Sequence, residues 1–141
     1  MPSLDLNHIS AALLHQQLIQ NRTIVACLCA AWCDVCTTYR PRFDAVASQY
    51  PELLFLWIDI EDQADSVEDL EIDNFPTLLI QQQDVVTFYG TMQPDSMQLK
   101  RMIQAQSEQT LEQLRTQANA SVQQRRWQSE ANLRLRLLSS H

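Results

Sequence analysis

Four cysteines lie within ten residues of one another, from Cys27 to Cys36, and neighbouring thiols can exchange electrons by forming disulfide bonds. The clearest pair is Cys33 and Cys36, in the stretch Trp32-Cys33-Asp34-Val35-Cys36. The first-turn amides and the dipole of a helix stabilise a thiolate at its N terminus. We therefore predict that Cys33 is the attacking nucleophile and that Cys36, one turn further on, resolves a mixed disulfide.

The elements around this pair follow from the local pattern. Residues 23–30 are apolar, partly β-branched and uncharged, which is typical of a buried strand. Residues 34–50 show apolar side chains at helical spacing, with Pro41 inside the stretch as a source of a kink. The two cysteines are thus predicted to lie where a strand ends and a helix begins.

Three motifs give the chain a resemblance to a known family. The WCxxC sequence begins at Trp32, Pro41 follows Cys36 by five residues, and Asn74-Phe75-Pro76-Thr77 leads into an apolar strand. In this order and spacing the chain resembles the thioredoxin family over roughly residues 5–105. A CxxC pair alone would be weaker, because zinc and haem sites share that spacing.

The resemblance implies a fold and a substrate groove. The expected fold is the α/β thioredoxin fold, a central mixed β-sheet flanked by helices. A substrate would dock between the dithiol and a cis-proline loop at Pro76, with Trp32, Phe75 and Gly90 lining the groove. Gly90 is the only glycine, and the sequence leaves open whether it approaches a partner or simply makes a turn.

The chain departs from the thioredoxin pattern beside the nucleophile and beneath the dithiol. The Asp34 carboxylate opposes a thiolate at Cys33 by like charge, which predicts a reducing rather than an oxidising couple. Cys27 holds the place of the buried aspartate that thioredoxins use for proton transfer, and Trp57 appears to hold that of its lysine companion. Because both polar groups are missing, we expect slower exchange than in an ordinary thioredoxin.

Cys27 and Cys29 should point to the same face of their strand, because side chains alternate with a period of two. We interpret them as small apolar residues that fill the core and are inert when buried. Two alternatives remain. The four cysteines Cys27, Cys29, Cys33 and Cys36 could bind zinc or an iron–sulfur centre, which we disfavour, or Cys27 or Cys29 could trap an oxidised Cys36 in a redox relay.

The resemblance implies one thioredoxin-like domain at 1–105, and the sequence after it predicts an amphipathic helical C-terminal extension at 106–141. The 141 residues are 45% hydrophobic, enough for a proper core without stapling disulfides. We expect no cofactor besides the redox-active Cys33–Cys36 disulfide. No apolar run is long enough to span a membrane, and residues 1–20 lack the basic residues of a targeting signal. We therefore expect a cytoplasmic protein, whose reducing surroundings favour a catalytic disulfide.

The charges divide the chain into an acidic body and a basic tail. Residues 1–99 carry 3 basic and 14 acidic side chains, net −11, whereas residues 100–141 carry 7 basic and 3 acidic ones, net +4. We interpret the acidic segment before Pro76 as a solvated face. The alternative is that this segment selects basic partners or binds the chain's own basic tail. Nucleic acid and membranes are not expected partners.

The remaining segments give a coarse order of elements. We predict an opening helix over 7–20, a strand over 53–59, a short acidic helix or turn over 62–71, a hairpin of strands over 77–82 and 85–89 that turns at Gln83-Asp84, and a helix after Gly90. The extension should be helical, with a break near Asn119–Ser121 where its apolar stripe changes phase. Its apolar face is expected to pack on the body, or to mediate self-association or capture of a partner helix.

Two functions remain in view. The leading hypothesis is a thiol–disulfide oxidoreductase of thioredoxin type that reduces disulfides of cytoplasmic proteins through Cys33 and Cys36 and receives electrons from a separate reductase. The alternative is a redox-sensing or non-catalytic protein-binding module. The intact WCxxC and cis-proline motifs favour the first, and the tail and the missing aspartate favour the second.

Overall fold

The chain is described by a computed structural model over residues 3–20 and 22–140. Its five strands are β1 (Leu4–Asp5), β2 (Ile24–Cys29), β3 (Leu54–Asp59), β4 (Thr77–Gln82) and β5 (Val85–Thr91). They form one mixed sheet in the order β1-β3-β2-β4-β5. β3 runs parallel to both β1 and β2, whereas β4 is antiparallel to β2 and β5. The predicted α/β fold with a central mixed sheet is confirmed.

Three helices flank the sheet in the body, and three more follow. They are α1 (Ala11–Ile19), α2 (Asp34–Gln49), α3 (Ser96–Ser107), α4 (Leu111–Ala118), α5 (Val122–Glu130) and α6 (Leu133–Ser140). The opening helix starts later than predicted, because the Ser10 hydroxyl accepts a hydrogen bond from Leu13 N–H and caps α1 at that point. α2 continues through Pro41.

Alternation along the central strands separates two apolar cores. Ile24, Ala26 and Leu28 of β2 join the core on the side of α1 and α6. The intervening residues of β2, Val25, Cys27 and Cys29, join the core on the side of α2 and α3. Cys36 belongs to this second core. The period of two therefore directs both strand cysteines towards the helix that carries the dithiol.

The connections mostly follow the sequence. The hairpin turns at Gln83-Asp84 as predicted, with Gln83 in the left-handed region at φ 54°. The acidic segment 62–71 forms turns rather than a helix. The short strand β1 was not predicted from the sequence, because its two residues are too few to show a periodic pattern.

The C-terminal helices pack back on the body. The predicted break is confirmed, since α4 ends at Ala118 and α5 begins at Val122. Leu114 and Ala118 of α4 pack with Val85, and Leu133 and Leu137 of α6 are fully buried in the core beside α1. Within the described part of the chain, no helix is long and apolar enough to cross a membrane.

Two glutamines join the C-terminal helices to the sheet. The amide of Gln81, fully buried on β4, accepts from Leu133 N–H at 2.9 Å and donates to Asn132 Oδ1 at 2.7 Å. The Gln128 amide of α5 pairs with the backbone of Val86 on β5, accepting from its N–H at 2.8 Å and donating to its carbonyl at 2.7 Å. These contacts fix the position of the last two helices.

Candidate active site

Cys33 lies at the N terminus of α2, as the sequence predicts. It is the N-cap residue, has extended backbone angles, and makes no hydrogen bond to the helix through its side chain. Its thiol is free and half-exposed. The first-turn amides of α2 therefore face this position.

The disulfide of the structure joins Cys29 to Cys36, with the two Cα atoms 5.8 Å apart. Each of the two residues is only 2% exposed, so the bond lies inside the protein. The interpretation of Cys29 as an inert filler is therefore wrong: it lies at the carboxyl end of β2 on the face covered by α2, where the Cys36 side chain enters the core. The Cys33–Cys36 couple stays a prediction.

Cys27 fits its interpretation as a buried filler. It is fully buried, and its Sγ lies 3.7 Å from Cys29 Sγ, which confirms that the two share a strand face. Burial raises the pKa of the Cys27 thiol well above its usual value, and the Arg40 guanidinium offsets only part of this effect. Cys27 is therefore held as a neutral thiol. It pairs directly with Trp57 across β2 and β3, as expected if the two residues replace a polar pair.

The loop before β4 has the expected conformation. The Phe75–Pro76 peptide bond is cis. Phe75 packs edge-on against Trp32, with ring centroids 5.6 Å apart, and the Trp32 side chain remains 68% exposed. The two rings thus connect the loop to the residue before Cys33 and present an apolar surface beside it. The role of this surface as a substrate groove stays a prediction.

Gly90 lies on β5, opposite Leu78 of β4. It borders a cavity of about 230 Å³ between the end of β5 and α5, whose lining includes Thr77, Tyr89 and Trp127. The C-terminal helices therefore form one wall of the space beside Gly90. Its placement in a substrate groove is not tested by these contacts and stays a prediction.

Asp59 has a role that the sequence analysis missed. It ends β3 opposite Cys29, and its carboxylate accepts from Ala31 N–H at 3.1 Å and from the N–H groups of Glu61 and Asp62 at 2.9 Å and 3.2 Å. It thereby connects the loop between β2 and α2 to the turn that follows β3 at Glu61 and Asp62. The available signal was its position: a carboxylate directly after a buried strand often binds the amides of the following loop.

Trp32 is fixed from the same acidic turn. Its indole N–H donates a hydrogen bond to the Glu61 carboxylate. Part of the acidic segment therefore orients the active-site loop rather than serving only as a solvated face. Asp34 is exposed in the first turn of α2, next to Cys33 in the chain, as predicted.

A cavity of about 490 Å³ reaches Cys36 from the side opposite the proline loop. Arg40 lines it, forms an ion pair with Asp5 at 2.9 Å, and stands 5.0 Å above the centroid of the Trp57 ring. Arg40 therefore contacts β1 and β3 from α2.

Tyr39 completes the buried surroundings of the thiols. It is fully buried, and burial raises the pKa of its phenol, with smaller contributions from Cys27 and Asp95. Its hydroxyl finds no hydrogen-bond partner among the described residues. Nor do those residues include a group of three or more His, Cys, Asp or Glu side chains that could hold a metal ion.

These features define a class of protein. A cysteine at the mouth of a helix, a second cysteine one turn deeper and a cis-proline loop on a central mixed sheet are the parts of a thioredoxin-type redox site. The profile of the family described as Thioredoxin matches residues 6–114. The chain belongs to the thioredoxin family. Membership of this family supports a thiol–disulfide oxidoreductase activity in general. Thioredoxins work without a cofactor.

Similar proteins agree with this assignment. The chain is 29% identical to the Thioredoxin-like protein CXXS1 of Oryza sativa subsp. japonica over 93 residues, which cover 65% of this chain and 68% of that protein. It is 29% identical to Thioredoxin-1 of Saccharomyces cerevisiae over 63 residues, 45% of this chain and 61% of that protein. The matches thus span between three fifths and just over two thirds of these relatives.

Solved structures share the fold. A poplar thioredoxin h is similar with a TM-score of 0.66 and 20% identity, covering 78% of this chain and all of that one. A thioredoxin from Nicotiana alata gives a TM-score of 0.61 and 21% identity, covering 74% and 94%. At these identities the likeness concerns the fold.

Proposed function

We propose that this protein is a thiol–disulfide oxidoreductase that reduces disulfides of other cytoplasmic proteins. The observation that supports this most directly is the free, half-exposed Cys33 at the N terminus of α2, with Cys36 one turn deeper. Membership of the thioredoxin family suggests protein disulfides as substrates and a separate reductase as electron donor. A cytoplasmic location is part of this proposal, and its reducing conditions would keep the dithiol mostly reduced.

The reaction begins with the reduced protein. The Cys33 thiolate attacks one sulfur of a substrate disulfide, forms a mixed disulfide, and releases the other substrate sulfur as a thiolate. The Cys36 thiolate then attacks Cys33 Sγ and releases the second substrate thiolate. Two electrons have moved to the substrate, and the protein holds a Cys33–Cys36 disulfide.

The surroundings of the dithiol assign further roles. The exposed Trp32 ring and the Phe75 ring against it offer an apolar contact for a substrate segment that runs along the Pro76 loop. Asp34 opposes a thiolate at Cys33, which favours the direction in which the protein gives up electrons. Proton transfer to Cys36 would use the cavity beside Arg40.

A disulfide-reduction assay tests this proposal. The reduced protein should reduce the disulfides of insulin with dithiothreitol as the electron source, and Cys33→Ser should abolish the activity. Ser48→Ala, at the exposed far end of α2, is the control and should retain it. Equal rates for Cys33→Ser and the unchanged chain would refute the proposed nucleophile.

The buried Cys29–Cys36 disulfide favours a second candidate function. In this state Cys36 is bonded elsewhere and Cys33 has no resolving partner. A redox-sensing module that binds a partner in only one oxidation state would use such a pair without turnover. It predicts reversible formation of the Cys29–Cys36 bond in thiol–disulfide buffers together with no insulin reduction.

A further inference from the structure

We propose that Cys29 is a third redox-active cysteine, which takes the disulfide over from the Cys33–Cys36 couple and stores it inside the protein. The inference rests on the proposed function, because Cys33 and Cys36 must first react with a substrate. It accounts for two observations together: Cys36 is bonded to Cys29, and Cys33 is a free thiol in the same state.

The position of Cys36 on α2 allows a disulfide with either Cys33 or Cys29. It is one helical turn after Cys33 on α2, and its side chain enters the core that Cys29 occupies. The Cα atoms of Cys29 and Cys36 lie 5.8 Å apart, within the normal range for a disulfide. The strand and the helix thus hold Cys29 and Cys36 at a separation that a disulfide can bridge.

The transfer balances as a thiol–disulfide exchange within the chain. The Cys29 thiolate attacks Cys36 Sγ in the Cys33–Cys36 disulfide, a bond forms between Cys29 and Cys36, and Cys33 leaves as a thiolate. Cys29 loses its proton to solvent before the attack, and the Cys33 thiolate takes one up from solvent afterwards, so the number of bound protons is unchanged. No oxidant is needed beyond the substrate disulfide that was reduced in the first step.

Burial separates the stored disulfide from outside thiols. Cys29 and Cys36 are each 2% exposed, whereas Cys33 is half-exposed. Rates of exchange depend on access to the attacked sulfur, so Cys33 is the natural route back. Its thiolate attacks Cys36, frees Cys29 and restores the Cys33–Cys36 disulfide, whose Cys33 sulfur an external dithiol can reach.

Cys27 provides a matched control on the same strand face. Its sulfur is 3.7 Å from Cys29 Sγ and fully buried, but it is not bonded in the structure. Replacement of either cysteine by alanine removes a buried thiol of the same size from β2. Only Cys29→Ala removes the proposed acceptor, so a difference between the variants reports the transfer rather than a general disturbance of the core.

The test follows the disulfide through one turnover. The fully reduced chain is mixed anaerobically with an equimolar amount of insulin, quenched in acid at successive times, and alkylated. Cleavage after Leu28 and Trp32 and before Asp34 separates the four cysteines for mass spectrometry. We expect the Cys33–Cys36 bond first, followed by the Cys29–Cys36 bond while Cys33 becomes alkylatable again. Cys27→Ala should give the same order, and Cys29→Ala should stop at Cys33–Cys36.

Each outcome has a defined meaning. Persistence of Cys33–Cys36 as the final state of the unchanged chain would overturn the transfer while leaving the proposed reductase intact. Reduction of no insulin disulfide, with all four cysteines still reduced, would instead contradict the proposed function. Formation of Cys29–Cys36 in Cys33→Ser at the rate of the unchanged chain would also overturn the relay, because the pair would then form without its proposed donor.

A second measurement tests the route back and includes the cavity beside Cys36. Protein holding the Cys29–Cys36 bond is reduced with a protein dithiol, a reduced thioredoxin, and with the small reductant tris(2-carboxyethyl)phosphine. The protein dithiol should reduce the Cys29–Cys36 bond of Cys33→Ser at a rate about tenfold or more below that of the unchanged chain. Equal rates would show that the reductant reaches the buried pair directly and would overturn the role of Cys33. The rate with tris(2-carboxyethyl)phosphine shows whether a small reductant reaches the Cys29–Cys36 bond through the cavity.

Discussion

Tyr39 carries a buried hydroxyl group without a hydrogen-bond partner among the described residues. An unsatisfied buried hydroxyl costs free energy, so its removal should not destabilise the fold. We expect Tyr39→Phe to leave the free energy of unfolding unchanged or raise it by up to about 1 kcal/mol. Urea unfolding measures this difference. A loss of stability would show that the hydroxyl binds a group, such as a thiol or a water molecule, that matters to the redox site.

Tyr89 should make stability depend on alkaline pH. Burial raises the pKa of its phenol from 10.0 to about 12, against a smaller opposing effect of Arg136. Because the pKa is higher in the folded state, the stabilising contribution is complete below pH 10.0 and is lost as the pH rises towards about 12. Thermal unfolding between these values should show a decline that is smaller in Tyr89→Phe. Parallel declines in both proteins would contradict the assignment.

The phenol of Tyr89 also donates a hydrogen bond to the Glu71 carbonyl at 2.7 Å. Tyr89→Phe therefore lowers stability at neutral pH as well, by about 0.5–1.5 kcal/mol. The loss of this hydrogen bond lowers stability by a constant amount and does not alter the slope of stability with pH.

Single residues also show what the sequence could and could not reveal of the site. The dithiol at the start of α2 and the cis-proline loop are local motifs, so they were found directly. The sequence analysis did not favour a Cys29–Cys36 bond. This bond depends on how far the Cys36 side chain reaches from α2 towards the sheet, which tertiary packing decides. The contacts of Arg40 with Asp5 and of Asp59 with Ala31 were missed for the same reason, because these partners lie far apart in the sequence.

Among the elements, α6 depends most clearly on a distant side chain. Its first amides, Leu133 N–H and Arg134 N–H, donate to the Gln81 side chain of β4 at 2.9 Å and 3.3 Å. Asn132 in turn accepts from the same amide group. Asn132 caps the same helix locally, since its Oδ1 also accepts from Leu135 N–H at 3.2 Å. Gln81 therefore adds a distant cap to the local one.

Gln81→Leu should destabilise the protein by about 2–4 kcal/mol, because buried amide groups lose their partner. Gln82→Leu places the same change on the neighbouring, half-buried position of β4 and should cost less than about 1 kcal/mol. Urea unfolding of both variants gives the comparison. Similar small losses in both would show that α6 does not depend on this bond.

The elements were predicted well where periodicity was strong, and less well at their boundaries. The strands and α2 follow from apolar runs and helical spacing, and the break after Ala118 follows from a phase shift of the apolar stripe. The second break, between α5 and α6, had no such signal. It is stabilised by Gln81, some 50 residues earlier in the chain, and no local pattern reports that contact.

For the molecule as a whole, opposite charge contributes less to the docking of the tail than its distribution suggests. Arg134 donates to the carbonyls of Gln83 and Arg22, and Arg136 to those of Glu68 and Glu130. An exposed ion pair between Arg115 and Asp84, at 3.3 Å, also joins the tail to the body. Apolar burial by α6 therefore carries most of the attachment.

Two leucines of α6 test this conclusion. Leu137 is fully buried and Leu135 is 63% exposed, so the same substitution at each separates packing from helix propensity. Leu137→Ala should lower the free energy of unfolding by about 2–5 kcal/mol. Leu135→Ala should change it by less than about 0.5 kcal/mol. If both changes were small, the tail would not be docked in solution, and the self-association predicted as an alternative would regain support.

The two hydrogen bonds between Gln128 and Val86 have a consequence for chains that are cut short. β5 is an outer strand, and its sequence Val85-Val86-Thr87-Phe88-Tyr89 is uncharged and rich in β-branched and aromatic residues. Such a strand readily recruits others when its backbone groups are unpaired. A nonsense mutation or a proteolytic nick before α5 should therefore yield a species that aggregates through β5, and in the intact chain α5 protects this strand from association with other chains.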